Sequence, residues 1–88
     1  MKKGYVYILE DESKKYYVGS TSDLKRRMEQ HKYGHTQTTR NVKGPKLIFW
    51  QEYEWLGTAR KVEKRLKNLK RRDYLEKIIS DGFLKLKP

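Results

Sequence analysis

A chain of 88 residues without a single cysteine must hold itself together by apolar packing alone. No disulfide and no thiolate zinc site can reinforce it, and a thiol nucleophile is excluded with them. Hydrophobic residues are 35% of the sequence, and a chain this short buries only about 60–65% of the surface its unfolded form exposes. The few apolar runs therefore have to be the core, and their spacing fixes the fold.

Residues 4–9 (Gly-Tyr-Val-Tyr-Ile-Leu) and 15–19 (Lys-Tyr-Tyr-Val-Gly) are rich in β-formers and flank a polar turn at residues 10–14. This pattern predicts an antiparallel hairpin. Alternation along the first strand places Tyr5, Tyr7 and Leu9 on one face and Val6 and Ile8 on the other. Ser20, Thr21 and Ser22 offer N-caps for a helix over 23–32 anchored by Leu24 and Met28. A polar stretch from Tyr33 to Gly44 reads as a loop, and residues 46–53, entered after Pro45, read as a third strand. Gly57 and Thr58 introduce a second helix with Ala59, Val62, Leu66 and Leu69 at helical spacing. A third helix begins near Asp73 and ends at Gly82, a natural C-cap. The order ββαβαα is an α+β domain spanning residues 1–88: a three-stranded antiparallel sheet flanked by helices.

Charge narrows the function. Twenty-two Lys and Arg stand against 11 acids, a formal net charge of +11, so a polyanion is the natural partner, and nucleic acid leads. An anionic membrane is the weaker rival, because no basic amphipathic segment carries the aromatics and leucines that insertion needs. No run approaches the roughly 18 apolar residues of a membrane span. The basic start, Met1-Lys2-Lys3-Gly4, leads into a strand rather than a signal-peptide core. The expected location is intracellular, in a bacterial cytoplasm.

Three features do not fit a merely solvated surface. Arg27 and His31, four apart, lie within about 60° of the Leu24–Met28 stripe on a helical wheel. They are either a snorkelling Arg with a core His, or a cation and a proton carrier aimed into a cleft beside the sheet. Glu63 is the sole acid between Arg60 and Arg72, among eight basic residues. It either forms an exposed i,i+4 pair with Lys67 or holds a hard metal ion that meets a phosphate. Seven tyrosines, four of them in the opening hairpin, are either strand packing or phenols converging on one point.

Tyr5-Val6-Tyr7, Tyr17-Val18-Gly19 ten positions on, Arg27, His31 and Glu63, taken in order, resemble the GIY-YIG nuclease superfamily, and more closely its small stand-alone bacterial members. The segments Asp23-Leu24-Lys25-Arg26-Arg27, Pro45-Lys46-Leu47-Ile48 and Glu63-Lys64-Arg65-Leu66-Lys67 strengthen the likeness, which runs over about residues 4–80. The first triplet reads Tyr-Val-Tyr where the family has Gly-Ile-Tyr; its spacing to Tyr17 marks Tyr7, rather than Tyr5, as the family tyrosine. The resemblance implies an endonuclease that hydrolyses DNA phosphodiesters with one divalent ion, Mg²⁺ or Mn²⁺, in repair or recombination. Glu63 would hold the metal. Tyr7 would serve as general base or place the water, its pKa lowered by the electropositive setting. Tyr17 would bond the phosphate or the water, and Arg27 would meet the developing phosphoryl charge. His31 would relay a proton or orient the phosphate. Gly19 would let the strand end turn into the helix without crowding the site.

Arg40, Lys43, Lys64, Arg65, Lys67, Lys70 and Arg71, with the Gly19 backbone, would follow the nucleic-acid backbone without reading its sequence. The expected partner is DNA, branched or single-stranded, with no membrane and no small-molecule cofactor, and the protein acting as a monomer or weak dimer. The alternative is a module of the same fold that binds nucleic acid without cutting it.

Overall fold

Three strands and three helices follow one another in the expected order: β1 (Gly4–Glu10), β2 (Tyr16–Thr21), α1 (Leu24–Lys32), β3 (Lys46–Tyr53), α2 (Leu56–Leu69) and α3 (Arg72–Asp81). The structure, a computed structural model, describes residues 2–32, 46–69 and 71–84, with the backbone alone at 31 and 32. The expected loop at 33–44, the His31 side chain, and Arg40, Lys43 and Lys70 lie outside the described residues.

β1 is the central strand of a sheet ordered β2-β1-β3, antiparallel to both neighbours. It sits there because it is the most continuously apolar run, with Val6, Tyr7, Ile8 and Leu9 all buried. Val6 and Ile8 face α2 and α3, where they cluster with Phe49, Ala59, Val62, Leu66, Ile78 and Leu84. The opposite face carries Tyr5 and Trp50, whose rings meet edge to face with centroids 6.1 Å apart. Leu24 and Met28 of α1 line a groove with those two rings. Between Ile8 and Leu9 the β1–β3 register slips by one residue of β3, so that Ile8 opposes Phe49 and Leu9 opposes Leu47. That bulge turns the strand without exposing either apolar partner.

Two helix starts differ from the sequence-based expectation. α1 is capped by Asp23 rather than by Ser20, Thr21 or Ser22: the Asp23 side chain accepts from the Arg26 amide at 3.1 Å. Thr21 stays in the strand and accepts from the Asp23 amide at 3.2 Å. α2 starts at Leu56, ahead of Gly57 and Thr58, because the Lys2 carbonyl accepts from the Leu56 amide at 2.9 Å. This contact brings the start of the helix against the start of β1, where a methyl group on Gly4 would lie 2.6 Å from the Leu56 Cα. Only glycine permits that approach. The expected C-cap at Gly82 is present, left-handed at φ 80°, its amide donating to the Ile78 carbonyl at 2.9 Å. Beyond it, the Gln51 side-chain amide both accepts from the Leu84 amide at 2.8 Å and donates to the Leu84 carbonyl at 3.2 Å. This pair fastens the chain after α3 to β3.

The β1–β2 turn is organised by Asp11. One of its carboxylate oxygens accepts from the Ser13 and Lys15 amides, both at 2.9 Å, and the other from the Tyr17 hydroxyl at 3.1 Å. Lys14, at φ 68°, takes the left-handed conformation that closes the turn. The Lys15 amide foremost, then the Tyr17 hydroxyl and the Ser13 amide, hold the Asp11 carboxyl below its ordinary range. A depressed folded pKa gives stability that is present above the unfolded value near 4 and is lost as pH falls through the folded value. Asp11→Asn should therefore flatten the acid limb of a stability–pH curve below about pH 4, as urea titrations at stepped pH would show. In the core, Ile8→Ala should cost about 2–5 kcal/mol, measured the same way at pH 7.

Candidate active site

The edge strand β2 and the two helices on either side of it enclose a pocket of about 610 Å³. β1 contributes Tyr7 to it, β2 contributes Tyr17, Gly19 and Ser20, α1 contributes Arg27, and α2 contributes Glu63 and Lys67. Side chains from opposite faces of the sheet can meet here because β2 is an edge and because Gly19 carries no side chain. Tyr7 pairs directly with Gly19 across the two strands, and the Tyr7 ring lies over it. A methyl group at Gly19 would stand 2.5 Å from Tyr7 Cζ. Gly19 is thus an interior residue of β2, not a strand-end pivot into the helix, and its role is to seat the phenol.

Glu63 reaches the same edge from the core side. It flanks the buried Val62–Leu66 stripe of α2, and its side chain is only 20% exposed. Ser20 Oγ donates to Oε1, and Lys67 Nζ stands 2.6 Å from Oε2. The i,i+4 pair with Lys67 that the sequence allows is present, and the carboxylate also lines the pocket. Ser20 was legible only as a helix cap, and its partnership with Glu63, 43 residues away, has no local sequence signal.

Tyr7, Arg27 and Glu63 are electrostatically coupled. Burial pushes the Tyr7 phenol above its ordinary value, Arg27 pulls it down and Glu63 raises it further. This reverses the expectation that the electropositive setting would lower the Tyr7 pKa: the ring is 5% exposed, and removing it from water outweighs one guanidinium. Tyr17 lines the pocket, but its hydroxyl donates to Asp11. Partial burial, then that carboxylate, pushes its phenol up too.

Arg60, Lys64 and Lys67, with the neutral Asn68, share a second groove with Ser20 and Glu63 on the outer side of α2. Arg71 and Arg72 stand at the far end of the pocket. Arg71 pairs with Asp73 at 2.8 Å. Arg72 pairs with Glu76 at 2.9 Å, donates to the Lys14 carbonyl and lies 4.3 Å over the Tyr16 ring. Arg65 is exposed on α2 and lines neither groove.

Among the described residues no three His, Cys, Asp or Glu side chains gather as an all-protein metal cage. A small hard cation does not require one: Mg²⁺ commonly takes one or two carboxylates, keeps several waters and meets a substrate phosphate. Glu63 with the Ser20 hydroxyl beside it would be an oxygen donor set of that kind once Lys67 leaves the carboxylate. No described helix is long and apolar enough to cross a membrane.

The chain belongs to the GIY-YIG family: residues 3–77 match the model of the GIY-YIG catalytic domain. It is 33% identical over 81 residues to a UPF0213 protein of Syntrophus aciditrophicus, covering 89% of this chain and 92% of that one. It is 34% identical over 81 residues to a UPF0213 protein of Streptococcus pneumoniae, covering 91% and 81%. The solution NMR structure of a UPF0213 protein from Bacillus halodurans superposes with a TM-score of 0.58 at 30% identity, covering 91% of this chain and 86% of that one.

The seat of Tyr7 gives a direct test. Gly19→Ala should destabilise the protein by about 1–3 kcal/mol by overpacking. In a Tyr7→Ala background the same change should cost nothing or stabilise by about 0.5–1 kcal/mol. Urea denaturation of the four proteins of this cycle measures the difference.

Proposed function

We propose that residues 1–88 form one nuclease domain, an endonuclease that hydrolyses DNA phosphodiester bonds with a divalent cation held by Glu63. The observation that carries this reading is the convergence of Tyr7, Arg27 and Glu63 on one pocket at the sheet edge. A protein that only bound nucleic acid would need cations and aromatics, but not a half-buried carboxylate lining one pocket with a phenol and a guanidinium. Family membership supports nuclease chemistry, and the formal charge of +11 suits a polyanionic substrate.

In-line hydrolysis requires a placed water, a neutralised phosphate and a stabilised leaving oxygen. A cation held by Glu63, with Ser20 beside it, would supply Lewis-acid neutralisation of the phosphate. Arg27 presents its planar fork to the phosphoryl oxygens as charge develops. Tyr7, protonated in its buried seat, orients the attacking water by hydrogen bonding and accepts a proton only where further positive charge lowers its pKa. Tyr17 must exchange its Asp11 partner to reach phosphate or water, so its first duty is to fix the turn. His31, in the last turn of α1, keeps its proposed role in proton relay or phosphate orientation. Lys64 and Lys67, with Arg60 and Asn68, flank the backbone of the bound DNA, and Arg65, Arg71, Arg40, Lys43 and Lys70 extend that contact. The protein acts as a monomer or weak dimer in the cytoplasm, in repair or recombination.

The test is cleavage of labelled duplex, single-stranded, flap and four-way-junction DNAs in Mg²⁺ or Mn²⁺ against EDTA. Glu63→Gln and Tyr7→Phe should each reduce cleavage at least about 100-fold, the scale of one electrostatic or acid–base contribution. DNA binding should persist in both. Cleavage that survives Glu63→Gln would remove the assignment, and salt-sensitive binding with no cutting by any protein would leave a binding module.

A further inference from the structure

Lys67 occupies the position from which a metal ion would approach Glu63. Its ammonium stands 2.6 Å from Oε2, while Ser20 satisfies Oε1, so both oxygens of the carboxylate are engaged. The pair is asymmetric: the Glu63 side chain is 20% exposed and the Lys67 side chain 56%. The carboxylate is fixed by β2 and by the core stripe of α2, whereas the lysine is free to leave along its flexible stem. Lys67 also borders both grooves, the pocket with Tyr7 and Arg27 and the outer groove with Arg60, Lys64 and Asn68. From one backbone position its ammonium therefore has two anionic destinations, Glu63 and a phosphate lying along the outer face of α2.

We infer that Lys67 is a displaceable counter-ion of Glu63, a positioning residue that must give up the carboxylate before a divalent cation binds and that then pairs with the DNA backbone. This inference rests on the reading of Glu63 as the metal-holding residue. Two cations cannot share one carboxylate at contact distance without strong mutual repulsion, so metal and ammonium compete. A phosphate that draws Lys67 outward removes the competitor, and by linkage the metal then favours the arrangement in which Lys67 is on the DNA. The site is thereby loaded more readily when substrate is present than when it is absent.

The experiment is calorimetric titration of Mn²⁺ into the DNA-free full chain at fixed ionic strength, for the original protein, Lys67→Met, Lys67→Arg and Glu63→Gln. Methionine keeps the apolar stem without the charge, and arginine keeps the charge. Lys67→Met should bind Mn²⁺ roughly tenfold more tightly, Lys67→Arg should stay within about threefold of the original, and Glu63→Gln should lose binding. The circular dichroism spectrum and urea midpoint of each variant establish that it is folded. If Lys67→Met binds Mn²⁺ no more tightly while Glu63→Gln abolishes binding, the counter-ion inference fails and the metal assignment stands. If Glu63→Gln leaves Mn²⁺ affinity intact, the assignment fails and the inference with it.

Discussion

The phenol of Tyr7 crosses the edge strand through space that any side chain at residue 19 would fill. A sheet normally keeps its two faces apart, because alternate residues point to opposite sides. Here the separation is relaxed at one place, where β2 is the edge of the sheet among the described residues and Gly19 is bare. Tyr7 and Arg27 approach from the α1 side, Ser20 and Glu63 from the α2 side, and they share one pocket. The second close approach, Gly4 against Leu56 and Ala59, sets how near α2 lies to the sheet and hence whether Glu63 can meet Ser20. Two glycines, neither of which does chemistry, thus determine whether the chemical side chains can assemble.

The electrostatics of the pocket follow from that assembly. An acid placed among cations at +11 is favoured by their field, but burial works against any charged group. Glu63 satisfies both constraints by keeping one hydrogen bond to a hydroxyl and one ion pair to a side chain that extends to solvent. At the other end of β2, Asp11 applies the same logic with backbone amides as donors. Arg72 closes the outer corner by lying over Tyr16 while bonding the Lys14 carbonyl, so α3 is fastened to the hairpin turn.

The order of elements was legible because each apolar run carried its own period: two for β1, and close to 3.6 along Ala59, Val62 and Leu66. β3 matches its expected span at residues 46–53, bounded by Pro45 and a charged turn. The helix starts were less legible, since Asp23 and the Lys2 carbonyl compete with nearer Ser, Thr and Gly candidates, and only tertiary contact decides between them. Tyr7, Arg27 and Glu63 were readable from their order and spacing. Ser20, Asp11 and Gln51 were not, because their partners lie across the fold or depend on a turn conformation that hydrophobic pattern does not encode. The Tyr7 phenol is raised where its charged neighbours in sequence predict a lowered one, for a related reason. Sequence reveals how many cations are near in the chain, whereas burial of the ring depends on the Gly19 space and the packing around it.

That direction bears on how such a site can be both present and quiet. A phenol raised by burial is a poor base at neutral pH, and a carboxylate already bonded to an ammonium is a poor cation trap. Both obstacles are electrostatic: positive charge beside Glu63 would offset the carboxylate that raises the Tyr7 phenol, and negative charge beside the α2 lysines would draw Lys67 from Glu63. The groups that must act are held in place by neutral contacts, the Gly19 seat and the Ser20 hydroxyl, which need not rearrange when those charges arrive. On the proposed reading the cation and the phosphate would supply the charge, while packing alone holds the groups in place before they arrive.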